Sequence, residues 1–425
     1  MTYNHSIDPK LNGLHYSMEF AADGKPVQRV KIGDESQIDA FGRFRVSEPL
    51  TIFDSTHVLH ENTNWSKTET DISGNVSQVH SVNESSMLLT LGTSSGDEIL
   101  RETKLIFPYQ PGKGLLQLSS FVMAEPKANL RQRIGLFSSQ NGIFLEQDDL
   151  GYNIVLRSYS TGAVVENRVA QANWNVDALD GAGASEINID FSKAQILWSD
   201  IEWLGVGTVR IGFMVDGRYI TAHKYHHANI VDRVYMTSAN LPLRLEMTNT
   251  GVTESNSTMR QICSTVITEG GHAGNGDPEV VRVPSTLVSS AFTPLVSVRL
   301  NPADGGNAAI VIPAEYEFMP EDTGTYEVAL FLNPDLTGAT FANVAFEHIS
   351  LDFAANAVAN GTIVDNKFTA ASNQASIGIG DTVEARYDRQ LGRSLDGTLE
   401  TYTLAARKTS GTGNVIASIK LIDRT

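Results

Sequence analysis

The sequence predicts an all-β protein: two antiparallel β-sandwich domains of the jelly-roll kind, preceded by an N-terminal arm. Three observations carry this. Apolar and polar residues alternate along most of the chain, the period-2 pattern of half-buried strands. Turn residues recur at roughly eight- to twelve-residue intervals, as in sandwiches and barrels. Helical periodicity is scarce, and with 425 residues the chain is long enough for two or three domains.

Residues 1–38 are polar, with one short strand candidate from Val27 to Ile32, and read as an arm or docking segment. A large unit follows over 39–269. Residues 270–278 hold four glycines and a proline, the composition of a linker. A smaller unit occupies 279–425, with strands expected at Leu295–Leu300 and Tyr326–Leu332.

One hairpin can be set in register. Val209, Ile211, Phe213 and Val215 alternate with Arg210, Gly212 and Met214, and Asp216-Gly217 is a type I′ turn signal. Counting back from the turn pairs Phe213 with Ile220, Ile211 with Ala222 and Arg210 with His223. Phe213, Ile211, Ile220 and Ala222 then face a core. Arg210, Met214, Tyr219, Thr221, His223 and Tyr225 face the other way, and Arg210, Met214, Tyr219 and Tyr225 are the candidate subunit interface, because such residues are enriched at interfaces.

Composition excludes several classes. The net charge of −17 repels phosphate backbones, so no nucleic-acid partner is expected. No apolar run is long enough for a membrane span, and residues 1–9 lack a signal-peptide core, which points to synthesis in a cytoplasm. The single cysteine, Cys263, excludes an internal disulfide and reads as a buried strand residue. Charged residues make up only 19 % of the chain, a neutral polar balance that suits subunit contacts.

The chemical motifs resolve into scaffold. Gly92-Thr93-Ser94-Ser95-Gly96 matches the serine-hydrolase pattern, but strand-like segments flank it on both sides where a helix must follow, so it reads as a hairpin loop. Pro111-Gly112-Lys113-Gly114 lacks the remaining Walker residues and reads as a turn. His223, His226 and His227 fall on different strand faces, which argues against a metal site. Glu146, Asp148 and Asp149 lack diagnostic calcium spacing and read as an exposed acidic loop.

Trp198-Ser199-Asp200-Ile201-Glu202 is the most informative stretch. Sandwich-fold glycosidases with a Glu-x-Asp-x-Glu strand place acid and nucleophile on either side of the Asp. Trp198 stands where the first Glu would be, so one essential carboxylate is missing and no enzyme activity is expected. Trp198 and Trp203 read first as core residues, with glycan contact by ring stacking as the alternative. No cofactor motif is present.

Several segments together resemble a family of tailed-phage virion structural proteins. They are Asp39-Ala40-Phe41-Gly42-Arg43-Phe44-Arg45-Val46-Ser47-Glu48-Pro49, Arg131–Phe137 with Asn141–Phe144, Trp174–Gly181, Glu202–Gly207 and Asn240–Glu246. Phe331–Gly338 adds a stretch in the small unit. As scaffold, Gly42 would make a turn and Pro49 would end an edge strand.

The resemblance implies a virion component assembled in the host cytoplasm, with other virion proteins as partners. The leading expectation is a homo-oligomer, a trimer or ring, of the tail or its appendages. A capsid decoration or head-fibre protein is the alternative, and a glycan-binding receptor-recognition module is the further one.

Overall fold

The computed structural model describes residues 17–20, 26–29, 38–39, 43–44, 49–59, 61, 69–269, 276–302, 309–343, 348–370, 377–378 and 389–424. Among them, strands dominate, and a three-residue 3-10 turn, Gln171–Asn173, is a minor exception. No helix among the described residues is long and apolar enough to cross a membrane.

The large unit is a sandwich of two antiparallel sheets. One runs in the order Val165–Ala170, Gly151–Ser158, Gly142–Asp148, Leu130–Phe137, Leu243–Asn249, Glu98–Glu102 and Glu69–Ser73. The other runs Arg218–Tyr225, Val209–Val215, Gln195–Ile201, Leu115–Val122, Ser257–Glu269, Ser86–Leu91 and Val76–Ser81. In this second sheet Pro49–Thr56 also pairs with the far half of the Ser257–Glu269 strand.

Alternation decides which side chains meet between the sheets. Leu197, Ile201, Ile211 and Phe213 from one sheet join Ile134, Leu136, Ile143 and Leu145 from the other in a single buried cluster. Phe191 stacks on Tyr152 at a ring separation of 3.9 Å and meets Phe213 edge-on at 5.4 Å. Each such side chain, fully buried, contributes about 1.5–3 kcal/mol of transfer free energy.

The small unit is a second sandwich with its own core, built around Val298, Phe318, Tyr326, Leu404 and Ile419. One sheet runs Asp277–Val288, Gly413–Asp423, Val311–Pro320 and Ile377–Gly378. The other runs Ala342–Asn343, Ile349–Asp352, Thr293–Leu300, Thr401–Lys408, Thr325–Leu332 and Thr362–Ala370. Two further pairs stand apart: Asp335–Thr337 with Ala357–Ala359, and Ser17–Phe20 with Pro26–Arg29. The all-β, two-sandwich expectation therefore holds.

Several details differ from the sequence reading. Asp277 and Pro278, placed in the linker by composition, open a strand; residues 270–275 lie outside the described residues. Most of the arm also lies outside them, and its described strands are Ser17–Phe20 and Pro26–Arg29. Pro49 begins a strand rather than ending one, where a missing N–H costs least.

Gly92–Gly96 is not a hairpin loop: Ser86–Leu91 and Glu98–Glu102 lie in different sheets, so the segment crosses between them. Asp97 ties this crossing down, accepting hydrogen bonds from the Asn75 and Ser94 amides at 2.9 and 3.1 Å. Cys263 is half-buried rather than buried, and sits where the strand register shifts.

Candidate functional site

The Asp216-Gly217 turn forms as expected, with φ of 51° and 72° at its two residues, the signature of type I′. The register holds for four pairs, Val215 with Arg218, Met214 with Tyr219, Phe213 with Ile220 and Gly212 with Thr221. It then shifts between Gly212 and Ile211, so that Ile211 pairs with His223 and Arg210 with Lys224.

Ala222 is the extra residue of a bulge, and the bulge returns His223 and Tyr225 to the core side. A Cβ on Gly212 would lie 2.0 Å from the Ile220 carbonyl oxygen, so the close approach of the two strands requires glycine here.

The candidate interface is therefore corrected at two of its four residues. Tyr225 is buried in the core, and its hydroxyl donates to the Ile154 and Asn167 carbonyls at 3.0 and 3.2 Å. Arg210 is buried and engaged with Asp200 and with the Ile38 carbonyl. Met214 and Tyr219 stay half-exposed on the outer face.

That outer face, turned away from the core, is where the informative residues gather. Trp198, Asp200 and Glu202 alternate with the core residues Leu197, Ser199 and Ile201, so all three point outward. Each is nevertheless fully buried or nearly so. Arg210, across the strand from Asp200, forms an ion pair with it and lies over the Trp198 ring, 5.9 Å from its centre. Tyr219 meets the other side of the tryptophan edge-on, at 5.5 Å.

Residues from the Asp39–Pro49 motif close over this face. Ile38 and Phe44 form a β-bridge, and the Asp39 amide donates to the Arg43 carbonyl at 2.8 Å. Arg43 in turn donates from its amide and from Nε to the Asp39 carboxylate, at 2.7 and 2.6 Å. The same guanidinium donates to the Gly112 carbonyl at 3.0 Å and stands 3.9 Å from Glu202.

Gly114, the last residue of the Pro111–Gly114 turn, marks where the carboxyl groups converge. A Cβ there would lie 3.0 Å from Glu269 Oε2, 3.3 Å from Asp200 Oδ1 and 3.4 Å from Glu202 Oε1. Burial, reinforced by the negative charges of Asp200 and Asp39, pushes the Glu202 carboxyl up to about 8, against the opposing pull of Arg43. Glu202 is therefore protonated at neutral pH.

The remaining candidates do not converge. Trp203 donates from its ring nitrogen to the Met236 carbonyl at 3.1 Å and packs edge-on against Tyr109, so it braces a loop. It shares no face with Trp198, which is itself buried, and the two do not form a sugar-stacking pair.

His223 accepts the Asn175 amide, His226 meets the Thr208 hydroxyl, and His227 donates to the Gly207 carbonyl and stacks on Tyr235 at 3.8 Å. Glu146 is engaged by Arg133 and Arg168, away from any calcium loop. No cluster of metal-ligating side chains occurs among the described residues.

Sequence reasoning found Trp198, Asp200 and Glu202 but missed Asp39, Arg43 and Glu269 as their companions. The only available signal was charge: an Asp and an Arg four residues apart in the Asp39–Pro49 motif.

No family model matches the chain, and no curated protein matches it. Among solved structures, it is similar to a β-1,3-1,4-glucanase (lichenase) from a mouse hindgut metagenome, at 11 % identity over 50 % of this chain and 97 % of that one, with a TM-score of 0.33. It is similar to an endo-1,3-β-glucanase from Streptomyces sioyaensis, at 11 % identity, 52 % and 97 % coverage and a TM-score of 0.36. Peanut lectin matches at 10 % identity, 52 % and 98 % coverage and a TM-score of 0.28. Nothing about activity follows from likeness of this order.

Proposed function

We propose that the chain is a non-enzymatic structural component of a tailed-phage virion, working by self-assembly and by docking to other virion proteins of the tail or its appendages. The observation that carries this reading is the use to which the outer face is put. Asp39 and Arg43 belong to the motif on which the phage resemblance rests, and they bond to each other with the Arg43 guanidinium held 3.9 Å from the buried Glu202. Residues that in a hydrolase would meet substrate serve here as internal braces.

Chemistry supports the same reading. Glycoside hydrolysis needs a protonated carboxyl and an ionised one flanking the bond. Glu202 meets the first condition, but Trp198 fills the strand position of the second and Asp200 is held in an ion pair with Arg210.

Two experiments test the proposal. Antibodies raised against the purified chain should decorate intact tailed particles, and density at the labelled position should give the copy number. Incubation with host envelope polysaccharide should leave chain length unchanged; shortening that disappears in Glu202→Gln would show the outer face to be catalytic and sink the structural reading.

A further inference from the structure

The large sandwich holds a second buried titratable group far from the Glu202 face. His57 follows the Pro49–Thr56 strand and is completely buried. Neither of its ring nitrogens has a hydrogen-bond partner. A neutral imidazole tolerates such a place at modest cost, whereas an imidazolium would bury a charge and two unmatched N–H donors.

Its surroundings make the charged form worse still. Arg101, from the Glu98–Glu102 strand, is itself buried beside it and donates to Glu61 and to Gln261, each at 2.8 Å. His80, from Val76–Ser81, binds the His57 main-chain carbonyl through Nε2 at 2.7 Å. Gln78 of the same strand donates to the same Glu61 carboxylate oxygen as Arg101. The charged or titratable groups facing His57 among the described residues are thus Arg101, His80 and Glu61, and Glu61 is already engaged by Arg101.

We propose that His57 is an acid-sensitive latch, and that a proton on its imidazole frees residues 57–59 and the adjoining end of the Pro49–Thr56 strand from the sandwich. The consequence reaches further along the chain, because this strand directly follows the segment whose Asp39 and Arg43 cover the Glu202 face. Burial, then the positive charge of Arg101 and the neighbouring His80, lowers the His57 ring from 6.5 to about 4. Released into water, the ring regains its ordinary affinity. The closed form is therefore intact above pH 6.5 and loses ground as pH falls, by roughly 30-fold between pH 8 and pH 5.

Hydrogen–deuterium exchange on the full chain, corrected for intrinsic rates, tests this. Amides of residues 49–59 should lose about 30-fold in protection at pH 5, while those of the Gly142–Asp148 strand should change little. His57→Gln, neutral at every pH, should hold its protection at pH 5. Equal acid loss in His57→Gln and wild type would overturn the latch.

A second measurement serves if that variant does not fold. In the wild type, histidine ring resonances should show His57 taking its proton only over the pH range in which residues 49–59 open. A His57 ring that titrates near 6.5 with protection unchanged would equally overturn the proposal.

Discussion

The outer faces of the two large-domain sheets bury charge in opposite ways. On the seven-stranded sheet, Arg133 pairs with Glu146 and Glu246, Arg157 with Glu166, and Arg244 with Glu102 and Glu246. Phe137 and Phe144 lie beneath these guanidinium groups, with Arg157 5.4 and 5.1 Å from the two ring centres. Burial alone would push the Glu246 carboxyl up, but Arg133, Arg244 and Arg131 together hold it below the usual carboxylate range. On the eight-stranded sheet burial pushes Glu202 up as well, and there its neighbours Asp200 and Asp39 add to the rise. The same side-chain type is thus an anion on one face and a neutral acid on the other, and the difference lies in whether the nearest charged neighbours are mostly guanidinium groups or carboxylates.

The largest expected effect comes from removing a cation that serves two acids. Arg133→Met leaves Glu146 and Glu246 buried with fewer partners and should cost about 3–5 kcal/mol in urea unfolding. A loss below about 1 kcal/mol would mean that water already screens the ladder.

Glu246→Gln should cost less, about 1.5–3 kcal/mol, the range for hydrogen bonds to charged groups. Its sign with pH is fixed by a lowered carboxyl: the stabilisation is present at neutral pH and fades as pH falls through the folded-state value. Wild type and variant should therefore converge in acid.

Glu202→Gln should do the reverse. A carboxyl raised from 4.5 to about 8 contributes stability that is complete below 4.5 and is lost as pH rises through about 8. The variant should match wild type near pH 5 and exceed it at pH 8, as read from urea midpoints. A variant less stable than wild type at pH 8 would place an ionised carboxylate at position 202.

The smallest effect on the isolated chain is expected at the half-exposed Tyr219. Losing its edge-on contact with Trp198 in Tyr219→Asp should cost about 0.5–1.5 kcal/mol by thermal melting. Incorporation into particles should fall much further if Met214 and Tyr219 meet a neighbour, so melting and incorporation are measured together. Parallel losses in both would assign Tyr219 to fold stability alone.

What was legible in the sequence was local. Alternation identified the Val209–Val215 strand and its faces, because side-chain direction has period 2 in any strand. Asp216-Gly217 fixed the turn, because few residues other than Asp, Asn and Gly adopt positive φ there without strain. The register failed four residues beyond the turn, at a bulge whose only sign was a glycine inside a strand. That one-residue shift moved His223 and Tyr225 to the core side and removed Tyr225 from the candidate interface.

The sequence by itself determined the fold class, the two-residue spacing that puts Asp200 and Glu202 on one face of a strand, and the absence of a second strand carboxylate at position 198. Tertiary structure alone decided what these side chains meet. Asp39 and Arg43 come to Glu202 across some 160 residues of chain, and Glu269 comes to it from a different strand. A period-2 pattern states which face a residue occupies but carries no information about which distant segment covers that face. Protonation of Glu202 depends on that cover, since burial and the nearest charges set a carboxyl's affinity for its proton, and both are supplied by residues far away in sequence.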